Sequence, residues 1–244
     1  MSPPTQVQER SATTLLGRAR RLWHRALGTK VITLDGVRLA CGRSDLPSSV
    51  RNLVFERRYE RAEAELVREV VRRGTRVLEI GSGIGFVGLL CTRLSGQGHV
   101  RSYEANPRME AVIRRNHSLN ASEPDLVMKA ITPDGTAIPF FRTDNVVSSS
   151  RFERGKKGER IEVESDAIDH AIENFEPDVI VMDIEGAECD VLPVADLSGI
   201  SALVLELHPH IVGEDRANLL LSDLASRGFA VTRSRRNNVL LTRG

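Results

Sequence analysis

The stretch Arg76-Val-Leu-Glu-Ile-Gly-Ser-Gly-Ile-Gly-Phe86 runs an apolar strand into a glycine-rich turn and then into helix-forming sequence. Glycines at 81, 83 and 85 allow backbone angles closed to other residues and let the main chain come close to a ligand. The amides that open the following helix then point at that ligand. Two readings stand side by side: a nucleotide-like cofactor site, or a turn that serves only tight strand-to-helix packing. The spacing narrows the first of them. A dinucleotide fingerprint has the order G-x-G-x-x-G, whereas here the third glycine comes one residue early, as Gly85, and Phe86 follows. That argues against a nicotinamide or flavin dinucleotide and for a smaller adenosine ligand.

A helix-compatible run from Phe86 to Leu94 and a Gly96-Gln-Gly turn lead to a second apolar run, His99-Val-Arg-Ser-Tyr103, which ends in Glu104. An acid about 20 residues past the glycine turn, at a strand's end, can accept hydrogen bonds from both hydroxyls of a ribose. The plain alternative is a surface carboxylate. The joint occurrence of turn and acid favours the ribose.

The chain has 244 residues, enough for one sizeable core. The simplest partition is an N-terminal extension over 1–54 and one α/β domain over 55–244. Basic and acidic residues nearly cancel, at 34 against 33, so nothing suggests a dedicated nucleic-acid binder. Cys41, Cys91 and Cys189 lie far apart without metal-type spacing and read as thiols in a reducing compartment. There is no apolar run of about 18 residues and no signal-peptide core, so a cytoplasmic location is expected.

Residues 1–12 are polar and contain prolines, which reads as disorder. Thr13 to Leu27 then sets Leu15, Leu16, Leu22, Trp23 and Leu27 on one helical face and Arg18, Arg21 and Arg25 on the other. Such a helix lies on an anionic membrane surface, binds a partner, or caps the domain with its Leu/Trp side; its shortness and one-sidedness favour the cap. Val31 to Ala40 is two alternating runs joined at Asp35-Gly36, a hairpin signal. A charged helix is expected from Glu56 to Arg73, a helix from Met109 to Leu119 and a third strand from Leu126 to Ile131. Ile138 to Arg142 and Ile161 to Glu164 read as strands, with a mobile loop or hairpin over Ser148 to Gly158 near the site entrance.

The order continues with a helix over Asp166 to Asn174, a fourth strand over Asp178 to Met182 ending at Asp183, and a fifth over Ala202 to Leu205 ending at Glu206 and His208. A helix over Asn218 to Arg227 precedes two closing strands, Phe229 to Arg233 and Val239 to Thr242. The fold class is therefore α/β: a doubly wound, mostly parallel, seven-stranded Rossmann-like sheet with a C-terminal antiparallel hairpin at one edge. Ligands of such sheets sit outside the carboxyl ends of the strands, where Glu79, Glu104, Asp183, Glu206 and His208 all fall.

The glycine turn, Glu104 and the final hairpin resemble a class I S-adenosylmethionine-dependent methyltransferase. More narrowly, Asp183-Ile-Glu-Gly-Ala-Glu188 resembles the D-x-E-G-A-E signature of the FkbM family, whose members methylate hydroxyls on sugars, polyketides and related metabolites. Tyr59-Glu60 before the first strand, Glu104-x-Asn-Pro107 after the second and Leu205-Glu-Leu-His-Pro209 on the fifth support the narrower resemblance. It covers roughly residues 55 to 243. One departure is Glu79-Ile-Gly-Ser-Gly, where the family more often has an aspartate and an Ala-Asn pair; the acid and the small residues are kept.

The resemblance implies that Glu79 and the turn, Gly81, Ser82, Gly83, Gly85 and Phe86, hold the methionine part of the cofactor. Glu104, with Ala105 and Asn106 after it, would take the ribose, Ala130 and Ile131 would flank the adenine, and Asp183 would reach the cofactor from the fourth strand. Tyr59, Glu60 and Glu206 are candidates for contact with the acceptor.

Methyl transfer from a sulfonium needs a nucleophile held in line behind the methyl group, so positioning supplies much of the rate. A hydroxyl must also lose its proton, and Asp183 is the leading base candidate, His208 the next, with Glu185 orienting either or binding the acceptor. Capping and close packing are the plain alternative for Asp183-Ile-Glu-Gly, and fixing a loop is the alternative for His208 beside Pro209. Asp183, Glu185, Glu206 and His208 could instead surround a divalent ion, although no metal is assigned. Asp166, His170 and Ser148 to Ser150 either border the acceptor pocket or are solvated.

The function expected is O-methylation of a small metabolite, sugar, polyketide or glycolipid. The alternatives are a catalytically silent module docked through residues 13–27, or a nucleic-acid methyltransferase. The last is disfavoured because the fourth strand lacks an Asn/Asp-Pro-Pro-aromatic element and because two tyrosines and one tryptophan offer little base stacking.

Overall fold

The computed structural model describes residues 15–142 and 159–243. The polar start expected over residues 1–12 and the loop expected over 148–158 lie outside them. Helix α1 (Leu15–Ala26) leads to a hairpin of β1 (Val31–Leu34) and β2 (Val37–Ala40), paired Leu34 to Val37 and Val31 to Ala40. Its two turn residues, Asp35 and Gly36, have φ of 53° and 82°, the left-handed pair a two-residue turn needs to follow the strand twist.

The helix expected from Glu56 to Arg73 is shorter, α3 (Arg61–Val70); an unforeseen helix, α2 (Ser48–Phe55), precedes it, with a bend between them. Arg57 and Glu60 take left-handed φ values of 57° and 44°, which no α-helix can pass through, and charge pattern alone gives no sign of that. The central alternation then runs β3 (Val77–Ile80), α4 (Phe86–Ser95), β4 (Val100–Tyr103), α5 (Glu110–Leu119) and β5 (Asp125–Val127).

The third strand expected over Leu126 to Ile131 is also divided. β5 stays in the main sheet, whereas β6 (Ala130–Thr132) leaves it and pairs in parallel with β9 (Ser165–Ala167), the Ala130 amide donating to the Glu164 carbonyl. Between them lie the two strands expected there, β7 (Ile138–Arg142) and β8, which runs over Glu159–Val163 instead of Ile161 to Glu164; they pair antiparallel. Because β9 uses Ser165–Ala167, the next helix, α6, begins at Ile168 instead of Asp166 and runs to Phe175.

The chain continues through β10 (Val179–Met182), a short α7 (Glu188–Val191), β11 (Ala202–Glu206), a single turn α8 (Pro209–Val212), α9 (Glu214–Ser226), β12 (Phe229–Arg235) and β13 (Asn238–Arg243). The seven-stranded sheet has the order β12-β13-β11-β10-β3-β4-β5. Its pairs are parallel from β5 to β11, and β13 is antiparallel to both its neighbours.

The central strands are buried on both faces, which is why Val-Leu-Glu-Ile and Val-Ile-Val-Met read as nearly continuous apolar runs. Val77, Val179 and Val181 face one core, shared with α3, α4 and the β1–β2 hairpin. Leu78, Ile80, Ile180 and Met182 face the other, under α6 and α9. Truncating a side chain such as Leu78 to alanine costs roughly 2–5 kcal/mol in cores of this kind. Asn116, fully buried on α5, ties the hairpin to the glycine turn: its Oδ1 accepts from the Ala40 amide at 2.7 Å and its Nδ2 donates to the Ile84 carbonyl at 2.8 Å.

α1 reverses the orientation favoured from the sequence. Its domain side carries buried Gly17, Arg21 paired to Glu56 at 2.8 Å and His24 stacked on Phe55 at 5.0 Å. Leu15, Leu16, Leu22, Trp23 and Leu27 are 60–86% exposed and do not cap the domain. The buried carboxylate of Glu56 gives Arg21 a partner that an apolar side could not use, so the side of the helix that carries Arg21 turns inward, while Arg18 and Arg25 stay exposed.

Candidate functional site

A cleft opens at the carboxyl ends of β3, β4 and β10, where the order of the parallel strands reverses between β3 and β10. Glu79, Gly81, Ser82, Gly83, Glu104, Ala105, Ala130, Ile131 and Asp183 all line it, together with Tyr59 and Glu60 from the bend before α3 and Glu185 beyond β10.

The turn is held from both neighbouring strands. The Gly81 amide donates to the Tyr103 carbonyl at 2.9 Å, and the Asp183 amide donates to the Ile80 carbonyl at 3.0 Å. A Cβ on Gly81, whose φ is 93°, would lie 1.9 Å from the Asp183 carbonyl oxygen. The first glycine thus lets the turn touch the fourth parallel strand.

Glu104 is 8% exposed and held by two backbone amides, Gly83 to Oε2 at 2.8 Å and Asn106 to Oε1 at 2.7 Å. Burial outweighs these bonds and raises its pKa to about 7. Fixed in this way at the cleft wall, the carboxylate keeps lone pairs free for a diol. Glu79 is turned under the turn: its Oε2 accepts from Ser102 Oγ at 2.6 Å and Ser82 Oγ at 2.9 Å, while its buried Oε1 has no hydrogen-bond partner among the described residues. Burial raises its pKa as well.

Three expected cofactor residues are off the wall. Gly85 heads α4 with φ of 78°, and a Cβ there would press on Ile113 at 3.1 Å, so its place is in packing. Phe86 is 1% exposed and packs against Tyr59 at 6.2 Å. Asn106 caps the turn that follows, its side chain accepting from the Arg108 amide.

The D-x-E-G-A-E segment forms a tight loop between β10 and α7. Glu185 and Gly186 have φ of 57° and 102°, and the loop is closed by Glu188, whose Oε1 accepts from the Ile184 amide at 2.8 Å. A non-glycine residue held in the left-handed region stores strain that the surroundings must support. Glu188 is 1% exposed and also lies 3.4 Å from His208 Nδ1, and on the other side of the ring His208 Nε2 lies 3.5 Å from Asp183 Oδ1 and 3.7 Å from Glu185 Oε2. Glu206 and His208 are not on the cleft wall, but they reach Asp183 from β11 and the turn after it: ligand-type atoms of Asp183, Glu206 and His208 all lie within 4.8 Å of one another.

Electrostatics in this corner are dominated by mutual repulsion. Burial, then the charges of Glu206, Glu60, Glu185 and Glu188, push the Asp183 pKa well above the usual carboxylate range. Burial and Glu206 push Glu60 up to about 7. For His208, burial acts downward, but the Glu188 carboxylate beside it, with Glu185 and Glu206, prevails and raises its pKa. Asp183 Oδ1 is buried without a hydrogen-bond partner among the described residues. In its ionised form, a carboxylate raised in this way is a stronger base than one in water.

Glu63, Lys129, Thr132 and Ile138 also line the cleft and were not foreseen. Glu63 sits three residues after Glu60, in the first turn of α3, and the pairing of two acids at that spacing is a signal that could have found it. Lys129 has no local signal; it donates to Asp166 Oδ1 at 2.8 Å, and Tyr103 Oη donates to Asp166 Oδ2 at 3.1 Å. Asp166 and His170 are not on the wall, and Ser148 to Ser150 fall outside the described residues.

A strand–glycine turn–helix unit, an acid closing the next strand, and a seven-stranded sheet with β13 reversed define a class I S-adenosylmethionine-dependent methyltransferase. The profile of the Methyltransferase FkbM domain matches residues 79–229, and the chain belongs to that family. No curated protein matches it significantly.

Among solved structures it is similar to a methyltransferase from Pyrococcus furiosus, with 16% identity, TM-score 0.46 and coverage of 93% of this chain and 98% of that one. Similar too are the ribosomal protein L11 methylase of Lactobacillus delbrueckii subsp. bulgaricus, at 13% identity, TM-score 0.45 and coverage of 84% and 83%, and the tRNA (uracil-54, C5)-methyltransferase of Pyrococcus abyssi in complex with S-adenosyl-L-homocysteine, at 14%, TM-score 0.45 and 88% and 44%. Among the described residues no helix is long and apolar enough to cross a membrane.

Proposed function

We propose that this protein transfers a methyl group from S-adenosylmethionine to a hydroxyl of a small metabolite, sugar, polyketide or glycolipid. In this reading the ribose lies on Glu104, the methionine end on the turn from Gly81 to Gly83, and the adenine beside Ala130 and Ile131. Asp183 takes the acceptor's proton, while Glu188 orients His208 and His208 faces Asp183.

The observation that carries the reading is Asp183 Oδ1: buried, without a hydrogen-bond partner among the described residues, and on a carboxylate whose pKa is raised beside the glycine turn. Glu60, Glu63, Asp183 and Glu185 on the wall offer carboxyl groups that can exchange hydrogen bonds with a hydroxylated acceptor, which supports that class. The test is a mass-spectrometric search for a methyl mass gain across hydroxylated acceptors, with extract from a deletion strain included. Methylation of nitrogen or carbon instead of oxygen would contradict it, and filter binding to RNA and DNA across a salt series tests the nucleic-acid alternative.

A second reading has one observation behind it, the convergence of Asp183, Glu206 and His208 within 4.8 Å. These oxygen and nitrogen donors suit a hard divalent cation, which would lower the pKa of a bound hydroxyl and make a separate base unnecessary.

A further inference from the structure

We propose that α1 docks the protein on an anionic membrane surface, its outward apolar side entering the acyl boundary and the basic cleft at its C-terminal end receiving lipid phosphate groups. At about 100° per residue, Leu15, Leu16, Leu22 and Trp23 share one arc of the 12-residue helix, Leu27 continues that arc just past its end, and Arg18 and Arg20 border it on its two sides. The opposite side is pinned to the body of the protein by Gly17, Arg21 and His24. The apolar arc is therefore held outward by contacts on its other face.

Charge decides between occupants. Residues 11–34 contain five Lys and Arg and no Asp or Glu. A cavity of about 820 Å³ below the end of α1 is lined by Arg25, Lys30, Arg43, Arg51 and Arg115, with Asp45 as its acid. Asp45 is taken up by Arg115 and the Gly42 amide, while Lys30, Arg43 and Arg51 make no ion pair among the described residues. Apolar side chains edged by guanidinium groups, with a tryptophan among them, match the acyl, phosphate and interfacial layers of an anionic bilayer. A second copy of the chain would set Arg18 and Arg20 against their own kind. Residues 1–14 bring only Met1 and Val7 as large apolar side chains, too few to cover five.

Trp23 is the only tryptophan, so its emission reports on this surface alone. The experiment uses the full chain with vesicles of phosphatidylcholine, and of phosphatidylcholine mixed with phosphatidylglycerol. Expected are cosedimentation and a blue shift of Trp23 with the mixed vesicles only, loss of both in the Leu15→Glu, Leu22→Glu double variant, and about tenfold weaker binding in Arg43→Glu, Arg51→Glu. Both pairs include only exposed or unpaired side chains, and circular dichroism checks that the variants fold.

Four results overturn the proposal. They are unchanged emission with both vesicles, emission already blue in a lipid-free monomer, a blue shift that follows dimer formation in sedimentation velocity, and tighter binding to RNA or to inorganic phosphate than to the mixed vesicles.

Discussion

Gly81 and Asp183 are in backbone contact: a single methyl group on Gly81 would lie 1.9 Å from the Asp183 carbonyl oxygen. The turn proposed to hold the methyl donor and the residue proposed to take the acceptor's proton are thus one rigid unit. Gly81→Ala must push β10 away or strain a φ of 93°. It should weaken S-adenosylhomocysteine by at least about tenfold, which is ~1.4 kcal/mol, and lower the melting temperature; calorimetry and thermal unfolding check this.

Glu104 should set the pH dependence of cofactor binding. Its pKa is raised to about 7 by burial, and the ionised form is the better acceptor for two hydroxyls. Affinity should therefore climb from pH 6 to pH 8 (about one unit either side of that value) and then level. Glu104→Gln should weaken binding roughly 10–100-fold and abolish the climb. A climb that survives in the variant would assign it to another group.

Asp183→Asn should separate chemistry from binding. With the amide in place, kcat should fall ~10²-fold or more while S-adenosylhomocysteine affinity stays within a few-fold. Turnover of the unaltered protein should persist in EDTA; loss of turnover restored by magnesium would favour the divalent cation held by Asp183, Glu206 and His208.

The acid corner should destabilise the empty protein at alkaline pH. Glu60 has a folded pKa near 7, above its unfolded value of 4.5, so its stabilising effect is full below 4.5 and is lost as pH rises to about 7. Glu60→Gln should therefore melt several degrees above the unaltered protein at pH 8 and at the same temperature near pH 4, measured by calorimetric scans. Equal melting at both would show that its charge is not opposed in the fold.

Asn116→Ala should cost about 2–4 kcal/mol in urea unfolding, because the Ala40 amide and the Ile84 carbonyl lose their buried partner together. A loss under about 1 kcal/mol would mean that water replaces it.

What could be read from the chain followed the range of each signal. The sheet, its reversed last strand and the pair of Gly81 turn and Glu104 were legible because apolar runs, glycine spacing and a strand-end acid are local patterns. Gly85, Phe86 and Asn106 shared the motif's sequence yet took packing and capping places, since a motif does not say which of its atoms face the ligand. The break between Val127 and Ala130 depends on β9, which pairs with β6 from 35 residues further on, as in Ala130 with Ser165. Amphipathicity gave the two faces of α1 but not their direction, because Glu56, the partner of Arg21, is supplied from α2's end. Glu188 was visible within the signature, but its approach to His208 Nδ1, at 3.4 Å, needed both β10 and β11 in place.

The most direct measurement is a calorimetric titration of S-adenosylhomocysteine into the full chain, run alongside Glu104→Gln. One saturable site that weakens in the variant is the result predicted here. A folded protein that gives no heat and no thermal stabilisation with the ligand would contradict the assignment of the Gly81 turn as the seat of the methyl donor.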